Sequence, residues 1–207
     1  MIVPPSIYTL LFYMLPLILA STSPFRAELL TRLRLPFETF APDIDETPLA
    51  GETPESMVIR LTKGKAEAAR KQFPNHLIIA SDQCATCDDD IIGKPRNHAR
   101  AVEQLSRFSG RSITFLTGLC LLNTATGQTQ IDCVPFVVQF RKLSAQQIEN
   151  YLYIETPYQC AGSFKSEGLG ISLFAKMSGE DPNALIGLPL IRLTSFLANE
   201  GINLPIK

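Results

Sequence analysis

Apolar and polar positions along this chain follow two alternating periods. Leu17-Ile-Leu-Ala20 is a continuous apolar run of strand length, and Ser21, Thr22 and Ser23 end it with hydroxyl groups. Pro24 suits a first helical position, where its missing N–H would have been unpaired anyway. Ser23 suits the N-cap, and Ala27, Leu29, Leu30 and Leu33 continue at helical spacing. Residues 37–41 read as a short strand that runs into an acidic loop, 42–48. Thr53-Pro54-Glu55 is a strong helix start, with Met57, Leu61, Ala68 and Phe73 on its apolar face. Lys63, Lys65, Arg70 and Lys71 stud the remainder of that helix.

Leu77-Ile-Ile-Ala80 repeats the opening pattern, an apolar strand that ends abruptly at Ser81, Asp82 and Gln83. Asp88-Asp-Asp90 predicts a turn, a short strand precedes Gly93-Lys94-Pro95, and Asn97 caps a helix to Phe108 with Gly110 beyond it. Residues 113–123 and 129–140 are β-branched and aromatic, and Gly127 joins them as a long hairpin. Ser144 caps a helix to about Ile154; 158–170 is a Gly-rich loop with both signs of charge; 179–183 is a loop; 188–200 is a final helix stopped by Gly201. Strands alternating with helices predict an α/β fold. In such folds ligands gather at the carboxyl ends of strands, so the polar ends of the first and third strands point to one cleft. The hydroxyl turn opening onto a helix N-terminus, with Arg26 in its first turn, suits an anion.

Composition narrows this picture. A length of 207 residues with 45% apolar and 8% aromatic content supports a single domain with a sizeable core. A net charge of −1 without a Lys/Arg run argues against nucleic-acid binding. Five unevenly spaced cysteines carry no disulfide framework and fit a reducing, cytoplasmic setting. Residues 7–20 are almost wholly apolar, but fourteen residues fall short of the roughly 20 needed to span a membrane. They also lack the basic start of a signal peptide. Residues 1–13 therefore read as an extension outside the fold, and Met14 begins a single domain, 14–207.

Several chemistries fall away. The two histidines, His76 and His98, read as surface residues rather than as a held general base. Cys84 and Cys87 lack a second pair, and three apart on a strand they face opposite sides. No phosphate-loop motif is present, and Gly168-Leu-Gly170 lacks the third glycine and setting of a dinucleotide fingerprint. What remains is a set of charges at loops and strand ends: Arg26, Glu46, Lys65, Asp82, Lys94, Lys165 and Glu167. Carboxylates suit Mg²⁺ or Mn²⁺ held against phosphates, with Lys and Arg neutralising the rest. Asp82 could ligate a metal or activate water.

Taken together, Ser21-x-Ser23-Pro24-x-Arg26, Asp45-Glu46, Lys65-Ala66, Ser81-Asp82 and Gly93-Lys94-Pro95 form an ordered series. Ser109-Gly110, Cys160-Ala161-Gly162-x-Phe164, Gly170-Ile171 and Gly187-Leu188-Pro189 extend it. The series resembles the Maf family of nucleoside triphosphate pyrophosphatases over about residues 15–204. The resemblance implies a long curved mixed β-sheet with flanking helices, two lobes around a cleft of Maf/ITPase-like type, and commonly a homodimer. It implies hydrolysis of a nucleoside triphosphate to monophosphate and diphosphate with a divalent metal, Mg²⁺ or Mn²⁺. Carried over, Asp82 is the proton acceptor, or a metal ligand orienting water. Glu46 assists at the metal, and Ser21, Ser23, Arg26, Lys65, Lys94 and Lys165 hold phosphates. Phe25, Gln83 and Glu167 depart from the commoner pattern and resemble the subgroup that prefers 7-methyl-GTP. N7-methylation makes the purine cationic, which an aromatic face attracts, and a carboxylate accepts from the guanine edge. The alternatives are a broader dTTP, UTP or CTP pyrophosphatase and a nucleotide-sensing regulator of cell division with incidental catalysis. None of these readings involves a nucleic acid or a membrane.

Overall fold

The computed structural model describes residues 14–88 and 90–206, so the expected extension at 1–13 lies outside the described residues. The strands are β1 (Leu17–Ala20), β2 (Phe37–Phe40), β3 (Leu77–Cys87), β4 (Asp90–Ile92), β5 (Ser112–Asn123), β6 (Thr129–Phe140) and β7 (Phe174–Gly179). The helices are α1 (Pro24–Thr31), α2 (Pro54–Arg70), α3 (His98–Phe108), α4 (Ala145–Glu155), α5 (Pro182–Ile186) and α6 (Leu190–Asn199). One seven-stranded mixed sheet runs β2-β1-β3-β5-β6-β7, with β4 added to β3.

β1 and the first half of β3 are apolar at every position because helices cover both faces. Leu17, Leu19, Leu77 and Ile79 pack against leucines of α1 and α6. Ile18, Ala20, Ile78 and Ala80 pack against Ala66 and Ala69 of α2. A second core lies under α3 and α4, where Phe108, Phe115, Phe140, Phe164 and Phe174 meet edge to face or tilted. The two cores are the two lobes, and β3 and β5 run through both.

β3 differs from its sequence expectation. It does not end at Gln83 but continues to Cys87. What ends is its neighbour: the parallel β1 pairing runs Leu17↔Leu77 to Ala20↔Ala80 and stops, while β5 stays paired from Leu77 to Thr86. β4 takes up the vacated side only at Ala85. Residues 81–84 are thus bonded to β5 on one side and face a four-residue gap on the other.

Other differences are local. In α2 the buried alanines are Ala66 and Ala69 rather than Ala68, and Lys65 is buried rather than among the exposed lysines. β7 and α5 are absent from the sequence expectation. β7 is an edge strand with mixed polarity, and α5 has five residues, too few to show a helical period. Within the expected 179–183 loop, buried Asp181 accepts from the backbone N–H of Asn183 at 2.9 Å and of Ile191 at 2.6 Å. One carboxylate thereby caps α5 and pins the start of α6.

Candidate active site

The gap in β3 opens onto a cleft of about 1120 Å³. Side chains along the strand alternate faces, which divides the site into two supports. Asp82 faces α2. Ser81 and Gln83 face the opposite layer, where Ser81 Oγ donates to the carbonyl of Gly187 at 2.8 Å. The Gln83 amide nitrogen lies 2.9 Å from Thr117 Oγ1 and 2.8 and 3.1 Å from the carbonyls of Ala184 and Leu185. Gln83 therefore braces the C-terminal carbonyls of α5, which a five-residue helix leaves without internal partners.

The same corner holds Arg26. Its Nε donates to the Gly187 carbonyl at 2.8 Å and its Nη1 to Ser21 Oγ at 3.4 Å. Gly187 has φ of 121°, which favours glycine, and a Cβ there would lie 3.3 Å from Arg26 Nε. Ser23 caps α1 as expected, its Oγ accepting from the Arg26 N–H at 3.4 Å, and Ser21 Oγ accepts from the Ser23 N–H at 3.1 Å. Burial lowers the Arg26 pKa from its ordinary value, although Asp82 and Glu46 nearby act to raise it.

On the other face, the Lys65 ammonium donates to Asp82 Oδ1 at 2.5 Å and lies 2.7 Å from Glu46 Oε1. Its side chain is 10% exposed and that of Asp82 13%, whereas Glu46 is 59% exposed at the cleft mouth. Glu46 comes from a loop tethered to α2 at two points. Ile44 packs with Met57, Val58, Leu61 and Cys84, and Arg60 grips Glu52 at 2.6 and 2.7 Å while donating to the Thr47 carbonyl. The Lys65 hydrogen bond holds the Glu46 carboxyl below its ordinary range, against partial desolvation, with further help from Lys65, Lys94 and Arg26 charge.

Lys94, Phe25 and Glu167 line the same cleft. Phe25 is half-buried and joins neither core, so it is not the helix anchor that an aromatic at this spacing usually becomes. Glu167 is exposed and accepts from Ser166 Oγ at 3.2 Å. Lys165 stands apart: its ammonium donates to the Glu155 carbonyl at 2.9 Å, at the end of α4, and it does not line the cleft. Sequence reading passed over Arg96 and Arg100, which do line it. Five cations (Arg26, Lys65, Lys94, Arg96, Arg100) then face three carboxylates (Glu46, Asp82, Glu167), so the cleft is positive within a chain of net charge −1. That balance suits a polyanion.

The residues set aside by sequence remain outside the chemistry. Cys84 and Cys87 are unpaired and buried in different clusters, and burial pushes the Cys84 thiol up to about 12. His98 is not a free surface residue. It bridges Tyr158 Oη at 3.0 Å and Glu149 at 2.9 Å, tying α3 to α4. His76 is half-buried, with Nδ1 2.7 Å from the Pro74 carbonyl. Among the described residues no three His, Cys, Asp or Glu side chains converge as a metal cage. No helix among them is long and apolar enough to cross a membrane.

Known proteins match this chain along nearly its whole length. The family model described as "Maf-like protein" matches residues 16–200. A protein of Pseudomonas syringae pv. tomato named 7-methyl-GTP pyrophosphatase is 57% identical over 189 residues, covering 91% of this chain and 98% of its own. Proteins of the same name from Nitrosococcus oceani and Methylobacillus flagellatus are 58% and 56% identical, covering 89% and 91% of this chain and 93% and 98% of their own. Among solved structures, the Staphylococcus aureus Ham1 protein aligns with a TM-score of 0.52 at 15% identity, covering 89% of this chain and 99% of that one. That likeness supports the α/β architecture alone.

Proposed function

The chain belongs to the Maf-like family, and from that premise we propose that it hydrolyses 7-methyl-GTP to 7-methyl-GMP and diphosphate. One observation carries the substrate. Phe25, Gln83 and Glu167, the positions that set this chain apart from the commoner pattern, line the same cleft as Asp82. Relatives 56–58% identical bear the corresponding name. A cationic purine attracts an aromatic face by about 0.5–2 kcal/mol, and the Glu167 carboxylate accepts from the guanine N1–H and amino group. Gln83 acts by a different route, bracing the α5 corner.

The reaction breaks the α,β-phosphoanhydride bond. Asp82 takes a proton from the attacking water, the water oxygen bonds to phosphorus, and diphosphate leaves. Arg26, fixed by Gly187 and Ser21, and Lys94 hold phosphate oxygens. Ser21 and Ser23 shape the turn that presents Arg26. Lys65 holds the two carboxylates together and keeps Asp82 oriented toward the cleft. A divalent cation fits this donor set. Glu46 and Asp82 supply two hard oxygens within reach of one Lys65 nitrogen, and Mg²⁺ commonly completes its shell with substrate phosphates and water. Such an ion would neutralise charge on the phosphates. Lys165 is better assigned to buttressing the Gly-rich loop from α4.

A reducing, cytoplasmic compartment and a homodimer belong to the same proposal. All five cysteines are free thiols, and burial raises the pKa of four of them. Sedimentation velocity reads the assembly, and a species of monomer mass would remove the dimer. The test of function is diphosphate release from a nucleotide panel with Mg²⁺ or Mn²⁺. Preference for 7-methyl-GTP is expected; equal rates on GTP and 7-methyl-GTP would refute the methyl-specific reading.

A further inference from the structure

We infer that Gly118 is a positioning residue for the contact between Lys65 and Asp82, an inference whose functional weight rests on the catalytic reading of that contact. Gly118 stands directly across from Asp82 in the β3–β5 ladder, so both positions face α2. The backbone does not demand glycine there. Gly118 is not among the residues with positive φ, and a glycine inside a strand forfeits packing. Space demands it. A Cβ at Gly118 would fall 2.2 Å from Thr62 Oγ1 and 2.8 Å from Val58 Cγ1, closer than side-chain carbons ever approach.

Thr62 is the reason the fit is so close. It is fully buried, and its hydroxyl has no hydrogen-bond partner among the described residues. An unsatisfied buried hydroxyl is costly, and the position keeps it where a bare Cα leaves room. Thr62 and Lys65 are three residues apart on α2, neighbours on one face and about 4.5 Å apart along the axis. The depth at which Thr62 seats over Gly118 therefore sets the depth from which Lys65 reaches Asp82. That contact, at 2.5 Å, can lengthen by about 0.7 Å before the roughly 3.2 Å beyond which such hydrogen bonds weaken. This is less than the roughly 1.2 Å by which a Cβ at 2.2 Å must be moved off to reach ordinary contact at 3.4 Å.

The test compares Gly118→Ala in two backgrounds, the native chain and Val58→Ala/Thr62→Ala, which removes the two atoms closer than 3.0 Å to the new methyl and leaves only Thr62 Cβ at 3.2 Å. In the native background Gly118→Ala is expected to lower kcat about tenfold or more while KM stays within about threefold. A crystal structure should show the Lys65 Nζ–Asp82 Oδ1 distance lengthened. In the second background the same change should cost little and leave that distance short. Equal losses in both backgrounds, or an unchanged distance in Gly118→Ala, would overturn the inference. Thr62→Val, which keeps the shape and removes the orphan hydroxyl, should fold and retain kcat; a large loss there would show that the hydroxyl, not the depth, matters. The distance is read without any nucleotide, so the inference stands or falls separately from the assigned substrate. Absence of hydrolysis by the native enzyme would remove the catalytic reading, and the Lys65–Asp82 distance would then decide the positioning claim by itself.

Discussion

Two sets of groups that line the cleft are built to different standards. Around Asp82 the groups are buried or cross-linked: Lys65 spans two carboxylates, and Arg26 is fixed by a carbonyl and a hydroxyl from two other segments. Around Phe25 and Glu167 the side chains are half-buried or exposed, and Glu167 is held by a single neighbour. The difference teaches a division of labour. Charge that develops during bond breaking is best met by groups already oriented, which need no reorganisation. A base with a delocalised positive charge can be held by a face and a carboxylate that adjust around it.

The largest effects are expected from the tightly held groups. Asp82→Asn is expected to reduce kcat by about 10²–10⁴-fold while nucleotide binding, followed by thermal shift, survives; retained hydrolysis would remove Asp82 from the chemistry. Lys65→Met should reduce kcat/KM by about 10²-fold. It should also release the Glu46 carboxyl upward from its lowered pKa, visible as a shifted carboxyl ¹³C titration. An unmoved Glu46 titration would contradict the bridge. Arg26→Lys keeps the charge but loses the fork that bonds Gly187 and Ser21, and about a tenfold rise in KM is expected. At the loosely held groups the effects are smaller and selective. Phe25→Arg should narrow the preference for 7-methyl-GTP over GTP by about tenfold, leaving turnover of GTP near native. An equal loss on both nucleotides would blur the division.

The smallest expected effect concerns pH. Glu46 has a folded pKa below its unfolded value, so its contact with Lys65 contributes stability above the unfolded pKa and loses it as pH falls through the folded one. Glu46 is more than half exposed, so solvent screening keeps the contribution small. Thermal midpoints of the native chain and Glu46→Gln should converge on acidification.

Local chemistry made much of this legible in the sequence. The caps at Ser23, Thr53, Asn97 and Ser144, and the long hairpin, are written in short-range residue choice, and each stands where expected. The misreadings share a cause. Ser81, Asp82 and Gln83 look like the end of a strand because polar groups rarely sit within a buried one. Here α2 and α5, remote in sequence, satisfy them. Lys65 looks like a surface lysine for the same reason, since its partners lie 17 residues away and in a loop before the helix. Arg96 and Arg100 carry no motif of their own, and only the packing of α3 beside the cleft brings them in. Gly187-Leu188-Pro189 marks its turn in the sequence, but the Gly187 carbonyl that orients both Arg26 and Ser81 is a backbone atom, and residue type does not say which groups it will hold.

The four-residue gap along β3 also bears on how the molecule trades hydrogen with water. Amides of 81–84 that point to β5 are locked with the sheet and should exchange only through large openings, whereas those on the gap side face the cleft. Within one strand, slow and fast amides then alternate. A ligand that fills the cleft should slow the fast set and leave the slow set untouched. Deuterium uptake at these four residues thus becomes a built-in gauge of occupancy, readable without turnover.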